Sequence, residues 1–289
     1  MPIAAIRGTD INYEVIGDTG PWLALTPGGR RSYAEFVRLA RKIAAHGFRV
    51  LLHDRRNCGL SGLSFDDSDA EDATWAEDLH TLMGRLGALP GFVGGSSSGC
   101  RTSLLLYLRH RGDVKGLLLF RVTGGAYAGK ALPEKYYELF IRAAREGGMA
   151  AVCATEHWRE RIALRPSDRD ALMAMALERF IAIMTSWKQR FVSGVDLPVL
   201  GVSAEELRSV AVPTVVIPGN DQIHSGPTGV LAAGLIPGAI LHHLPIPSTD
   251  RELIPFDEWA PQEDEIAAAF ADLMTKAGAA PQARAGATS

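Results

Sequence analysis

The stretch Phe92-Val93-Gly94-Gly95-Ser96-Ser97-Ser98-Gly99-Cys100 runs directly into Arg101-Thr102-Ser103-Leu104-Leu105-Leu106-Tyr107-Leu108-Arg109. A short apolar run, a Gly-x-Ser-x-Gly and a helical pattern follow one another. That is the layout of a sharp strand-to-helix turn, a nucleophile elbow, which pushes one serine hydroxyl out at the top of a sheet. The glycines set the register: Gly95 and Gly99 flank Ser97 two residues away on each side, and neither Ser96 nor Ser98 is flanked in this way. Small neighbours let strand and helix pack around a strained residue. Ser97 is the candidate nucleophile. Alone, the pentapeptide reads equally well as a glycine-serine turn, so the surrounding segments decide.

The chain has 289 residues, 47% hydrophobic and 22% charged. This is a globular composition, suited to one large α/β domain or to a domain with an insertion. A net charge of -3 makes no electrostatic case for nucleic acid or an anionic membrane. No window approaches the roughly 18 apolar residues of a spanning helix, and Met1 to Arg7 lacks the basic and apolar regions of a signal peptide. Cys58, Cys100 and Cys153 have no metal-ligand spacing and are expected to be reduced packing residues in a cytoplasmic protein. Neither a cofactor nor a metal is expected, and a homodimer is a common assembly for such a chain.

Strand-like and helix-like segments alternate through the first 125 residues. Strands are expected at Ile11–Ile16, Trp22–Thr26, Phe48–Asp54, Gly91–Gly95 and Lys115–Phe120, and helices at Tyr33–Ala45, Trp75–Leu86 and Arg101–Arg109. Short apolar strands separated by helices imply a mostly parallel sheet covered on both faces. From Ala126 to Glu206 strand-like runs vanish, and helical segments rich in Ala, Met, Tyr and Trp replace them. Strands resume at Val212–Pro218 and Ala239–Leu244, followed by a closing helix at Glu263–Met274. The expected organisation is a core of residues 1–125 and 207–276, a helical cap of residues 126–206, and a disordered tail of residues 277–289.

In this order the chain resembles an α/β-hydrolase-fold protein with a helical cap, over about residues 5 to 275. The elbow at Ser97 is one piece. Leu25-Thr26-Pro27-Gly28-Gly29 stands where the family has His-Gly-x after its third strand. Asp54-Arg55-Arg56-Asn57-Cys58-Gly59-Leu60-Ser61 is similar to Asp-x-Arg-Gly-x-Gly-x-Ser. Pro218-Gly219-Asn220-Asp221 is similar to the Gly-x-x-Asp that carries the family's acid.

The resemblance implies an acyl-transfer site: a nucleophile, a base, a group orienting the base, and donors for an oxyanion. Ser97 supplies the hydroxyl. The oxyanion donors are expected at the backbone N–H groups of Gly29 and Ser98. Asp221 is the candidate acid; an Asx turn or a helix N-cap is the alternative for it.

The histidine departs from the family pattern, which places a Gly-His just after the eighth strand. Here the matching position falls near Thr249, and no histidine follows His243. His224, three residues after Asp221, is the leading substitute. His243, at the end of the eighth strand, is the alternative base. His53 and His157 read as structural. Arg30, beside the oxyanion glycines, suits a carboxylate or another anionic group. Trp158 and Trp187 are candidates for an apolar wall, although such residues more often hold a cap together.

The resulting expectation is a cofactor-independent serine hydrolase acting on a small, largely apolar ester, lactone, amide or activated C–C bond. A lyase or cyclase in which Ser97 only hydrogen-bonds substrate is the first alternative. A non-catalytic small-molecule receptor is the second, and retention of elbow, glycines and acid argues against it.

Overall fold

The computed structural model describes residues 2–279. Eight strands, β1 (Ile3–Ile6), β2 (Thr9–Ile16), β3 (Trp22–Thr26), β4 (Arg49–His53), β5 (Gly91–Ser96), β6 (Val114–Phe120), β7 (Thr214–Ile217) and β8 (Ile240–Leu241), form one sheet. Their order is β1-β2-β4-β3-β5-β6-β7-β8. β1 and β2 pair antiparallel, as do β2 and β4, and the remaining pairs are parallel.

The central strands are apolar without a break because both faces are buried. Alternation sorts their side chains between two cores. Val93, Leu117, Leu119 and Val216 face one core, shared with the helices α2 (Glu71–Arg85), α3 (Ser98–Arg109), α9 (Ala204–Arg208) and α10 (Gly226–Leu235). Phe92, Leu118, Phe120, Val215 and Ile217 face the other, against α1 (Val37–Ala45) and α11 (Glu263–Ala279).

Between β6 and β7 lie α4 (Gly125–Pro133), a π-turn at Glu134–Glu138, α5 (Leu139–Ala154), α6 (Glu156–Leu164), α7 (Ser167–Met173) and α8 (Leu177–Val192), followed by α9. The first six of these pieces share a third apolar core containing Phe140, Trp158, Phe180, Met184 and Trp187. α5 bends at Gly147 and Gly148, whose backbone angles are not helical.

Several boundaries differ from the sequence expectation. β1 carries too few residues for a recognisable alternation. The eighth strand is two residues long instead of six, because Pro245 and Pro247 follow closely and cannot donate to a ladder. The closing helix continues through Ala279, so residues 277–279 are helical and not part of a disordered tail; residues 280–289 of that expected tail lie outside the described residues. No helix among the described residues is long and apolar enough to cross a membrane.

Candidate active site

Ser97 sits at the tip of the β5–α3 turn with φ 57° and ψ -118°. A non-glycine residue at positive φ is uncommon and costs backbone strain. The flanking glycines are sterically required: a Cβ on Gly95 or Gly99 would lie 2.2 or 2.1 Å from the Thr26 carbonyl oxygen. The Ser97 N–H donates to the Arg121 carbonyl at 3.1 Å. Its Oγ lies 2.9 Å from Thr123 Oγ1, in a hydroxyl pair that no sequence motif announces.

The loop after β3 packs directly on this turn. A Cβ at Gly28 would come within 3.0 Å of Ser97 Cβ. Gly29 has φ 49°. Arg55 fastens the loop, donating to Gly28 O at 3.2 Å, to Gly29 O, and to Ser98 Oγ at 2.8 Å. Ser98 Oγ also donates to Gly29 O at 3.2 Å. Ser98 opens α3, so its N–H is outside the helical ladder and at the positive end of the helix dipole.

Asp221 follows β7 and is 2% exposed. Its carboxylate accepts from His224 Nδ1 at 2.9 and 3.0 Å, the His224 backbone N–H at 2.7 Å, the Ile254 N–H at 3.0 Å and Arg121 Nη2 at 2.9 Å. Burial alone raises a carboxyl pKa, but the hydrogen bonds from His224 and Ile254 hold this one well below the usual carboxylate range. Burial, reinforced by Arg121, lowers the His224 pKa against the pull of Asp221. The imidazole is therefore neutral at pH 7, with its proton on Nδ1 toward Asp221. Its Nε2 is buried and has no hydrogen-bond partner among the described residues.

Arg121 was not legible as a site residue. It follows β6 at φ 53°, and its guanidinium bonds both Asp221 and the Ile254 carbonyl. It therefore ties the acid to the segment after β8. That segment approaches the site through Leu253 and Ile254, with Thr249 held instead by its N–H on Asn220 O at 2.9 Å.

Ser97, Gly28, Gly29, Arg121 and His224 open onto one cavity of 590 Å³. Leu132, Tyr136, Phe140 and Ile223 give it apolar wall, while Glu35, Lys135, Glu156, His157 and Glu160 make it more polar than expected for a largely apolar substrate. Glu35 lies on the short 3₁₀ turn after the glycine loop. Burial pushes its carboxyl up to about 7, against the opposing effects of Arg31, Arg121 and the Gly28 N–H.

Four expected site residues are placed otherwise. His243 is exposed beyond the end of β8 and does not line the cavity. Its neighbour His242 bonds Glu265 at 3.1 Å. Arg30 lines the cavity, but its guanidinium is committed to Glu71, with both nitrogens at 2.8 Å from the carboxylate oxygens. A buried pair of that kind offers little charge to an incoming anion. Trp158 and Trp187 are buried in the core of the inserted helices and do not reach the cavity. His157, read from sequence as structural, lines it instead.

Away from this site, His80, His110 and Asp113 bring ligand-capable atoms within 4.8 Å of one another. The two imidazoles stack at 3.6 Å and 4°, with His80 on Asp113 at 2.7 Å and His110 on Glu77 at 3.1 Å. Parallel rings direct their lone pairs side by side and not to one point. The group is a hydrogen-bonded clasp between α2 and the end of α3.

The comparisons with known proteins agree on this architecture. A family model described as alpha/beta hydrolase fold matches residues 21–121. An uncharacterized hydrolase of Bacillus subtilis (strain 168), YraK, is 32% identical over 105 residues; the match spans 36% of this chain and 38% of that relative's length. Among solved structures, the enol-lactonase from Burkholderia xenovorans LB400 aligns with a TM-score of 0.64 and 21% identity, covering 95% of this chain and 100% of that one. An esterase from Exiguobacterium antarcticum aligns with a TM-score of 0.62 and 17% identity, covering 93% and 98%. The chain is an α/β-hydrolase-fold protein.

Proposed function

We propose that the protein is a cofactor-independent serine hydrolase of small esters or lactones. One observation carries the reading. His224 offers an unpartnered Nε2 to the cavity that Ser97 lines, while Asp221 holds its Nδ1. A neutral imidazole with one nitrogen bound to a carboxylate and the other bare is a general base. The hydrolase name of the B. subtilis relative, and the lactonase and esterase names of the structural neighbours, support the same class.

In this mechanism Ser97 Oγ leaves Thr123, gives its proton to His224 Nε2 and bonds the substrate carbonyl carbon. The N–H groups of Gly29 and Ser98 receive the developing oxyanion, and each such donor contributes about 3–4 kcal/mol of transition-state stabilisation. His224 then returns the proton to the departing alkoxide as the acyl-enzyme forms. Water attacks that ester with His224 again as base, and Ser97 is regenerated. Asp221 keeps its negative charge throughout and stabilises the transient imidazolium. The inserted helices form the cavity's cap, and a volume of 590 Å³ suits a small molecule.

A lyase or cyclase in which Ser97 only hydrogen-bonds substrate draws on a different observation, the Ser97–Thr123 hydroxyl pair. Turnover of p-nitrophenyl esters separates the two. The hydrolase reading expects a burst of p-nitrophenol, stoichiometric with enzyme, that Ser97→Ala abolishes. Turnover with no acyl-enzyme detectable by quenched-flow mass spectrometry would favour the alternative.

A further inference from the structure

α6 turns two kinds of side chain in two directions. Trp158 and Arg161, three residues apart, are buried, with Arg161 on Asp168 at 2.6 Å and on the Ser61 carbonyl at 2.7 Å. Glu156, His157 and Glu160 fall on the other side, within one turn, and line the cavity that holds Ser97.

His157 is the unexplained member of that face. Its Nε2 is buried without a hydrogen-bond partner among the described residues. The Asn57 backbone carbonyl faces the ring and favours its charged form. With Nε2 unpartnered, the nitrogen toward that carbonyl is Nδ1. Asn57 is itself rigidly held at φ 64°, where the resembling motif has glycine. Its side chain donates to Ser64 O at 2.8 Å and accepts from the Ser64 N–H at 2.9 Å. Burial, then Arg30 and Arg161, drive the imidazole pKa well below its ordinary value. The ring is thus neutral, and a proton on Nδ1, toward the Asn57 carbonyl, leaves the Nε2 lone pair as an acceptor. A buried acceptor left unpaired is destabilising, a cost that a ligand donor would remove.

We propose that His157 is the substrate-recognition residue of this cavity, its Nε2 accepting a hydrogen bond from a hydroxyl or amide N–H that the substrate carries away from its reacting carbonyl. The inference deepens the hydrolase reading and rests on it for the position of that carbonyl. The cavity then holds two neutral imidazoles with distinct tasks. His224, oriented by Asp221, works on Ser97; His157, oriented by Asn57, reads the substrate from the α6 wall. Glu156 and Glu160 beside it are acceptors as well, so this wall selects for donors and against anions. The substrate class is a hydroxylated or amide-bearing small ester or lactone, in place of a plain apolar one.

The test compares p-nitrophenyl esters of straight-chain acids of equal length that end in hydroxyl, methoxy or methyl, and a second series with the same groups on the alcohol. In at least one series the wild type is expected to prefer the hydroxyl by about tenfold in kcat/KM, the value of roughly one hydrogen bond. His157→Leu should bring the ratio close to one, and His157→Gln, which keeps an acceptor, should restore part of it. Absence of a hydroxyl preference in both wild-type series, or a ratio unchanged in His157→Leu, overturns the proposal. Calorimetric binding of the same esters to the Ser97→Ala protein reads the preference without turnover. A hydroxyl preference there, from a wild type that hydrolyses nothing, would sink the hydrolase reading and leave the recognition role standing; equal binding would remove the recognition role alone.

Discussion

His224 Nδ1 lies 2.9 Å from Asp221 Oδ1, although the two residues are only three apart in the chain. Acid and base thus come from a single turn after β7. The Asp221 carboxylate also accepts the His224 backbone N–H, so one group fixes both the turn and the ring. Replacing the acid should be costly in rate. Asp221→Asn is expected to lower kcat by about 10⁴-fold, because an amide can present its N–H and favour the wrong tautomer. Steady-state kinetics beside a melting curve would check this, and a loss under tenfold would remove Asp221 from the mechanism.

The pH–rate profile should show an early acid limb. The active form of His224 is neutral, and burial lowers its pKa below 6.5. Thus the rise of kcat/KM with pH should lie entirely below 6.5. An acid limb centred above 7 would contradict this placement.

Glu35 should add a second, alkaline limb. Its carboxyl ionises at about 7 beside the glycine loop, where a new negative charge opposes a developing oxyanion. Wild-type kcat should decline severalfold above pH 7, and Glu35→Gln should flatten that decline. Profiles that superimpose for the two proteins would exclude the effect.

Arg55 carries the glycine loop and Ser98 on one guanidinium. Arg55→Ala leaves those acceptors unpaired and lets the oxyanion donors drift. A kcat loss of the order of 10²-fold, with KM changed far less, is the expected result. A rise in KM at constant kcat would instead make Arg55 a binding residue.

The stability that buried neutral histidines contribute should fall as pH drops below 6.5. His53, His157 and His224 are buried with lowered pKa values, His53 down to about 3 through burial first and Arg55 second. The unfolded chain takes up their protons near 6.5 and the folded protein does not. Each therefore removes up to about 1.4 kcal/mol per pH unit below that point. Glu35 has the opposite sign, since the folded state holds its proton between 4.5 and about 7, so its contribution is lost as pH rises through that window. Glu71 and Asp78, whose carboxyls burial also raises, share that sign, so the histidine contribution is read by substitution. The urea midpoint at pH 6.5 minus that at pH 5 should be smaller in His53→Gln than in the wild type, and an equal difference in the two proteins would contradict a buried neutral His53.

What was legible in the sequence was local. Gly95, Ser97 and Gly99 announce the turn because the backbone needs those residue types within five positions. His224 could be paired with Asp221 because they share one turn. Arg121, Thr123 and Glu35 gave no signal, since they reach the site only through the packing of separate elements, as with Arg121 and Asp221, 100 positions apart. The exchange of Trp158 for His157 has a smaller cause. α6 spans only nine residues, too few for an apolar period to set its rotation, so the large apolar residue was the natural guess for the cavity wall.

The central claim, an activated Ser97 with His224 as its base, is tested most directly by intact-mass labelling with a fluorophosphonate. Wild type, Ser97→Ala and His224→Ala are compared at pH 7. Rapid addition of one phosphonyl group to the wild type, absent in Ser97→Ala and slowed by at least about 10³-fold in His224→Ala, is the predicted result. A wild-type protein that stays unmodified, or a His224→Ala protein labelled as fast as wild type, would contradict it.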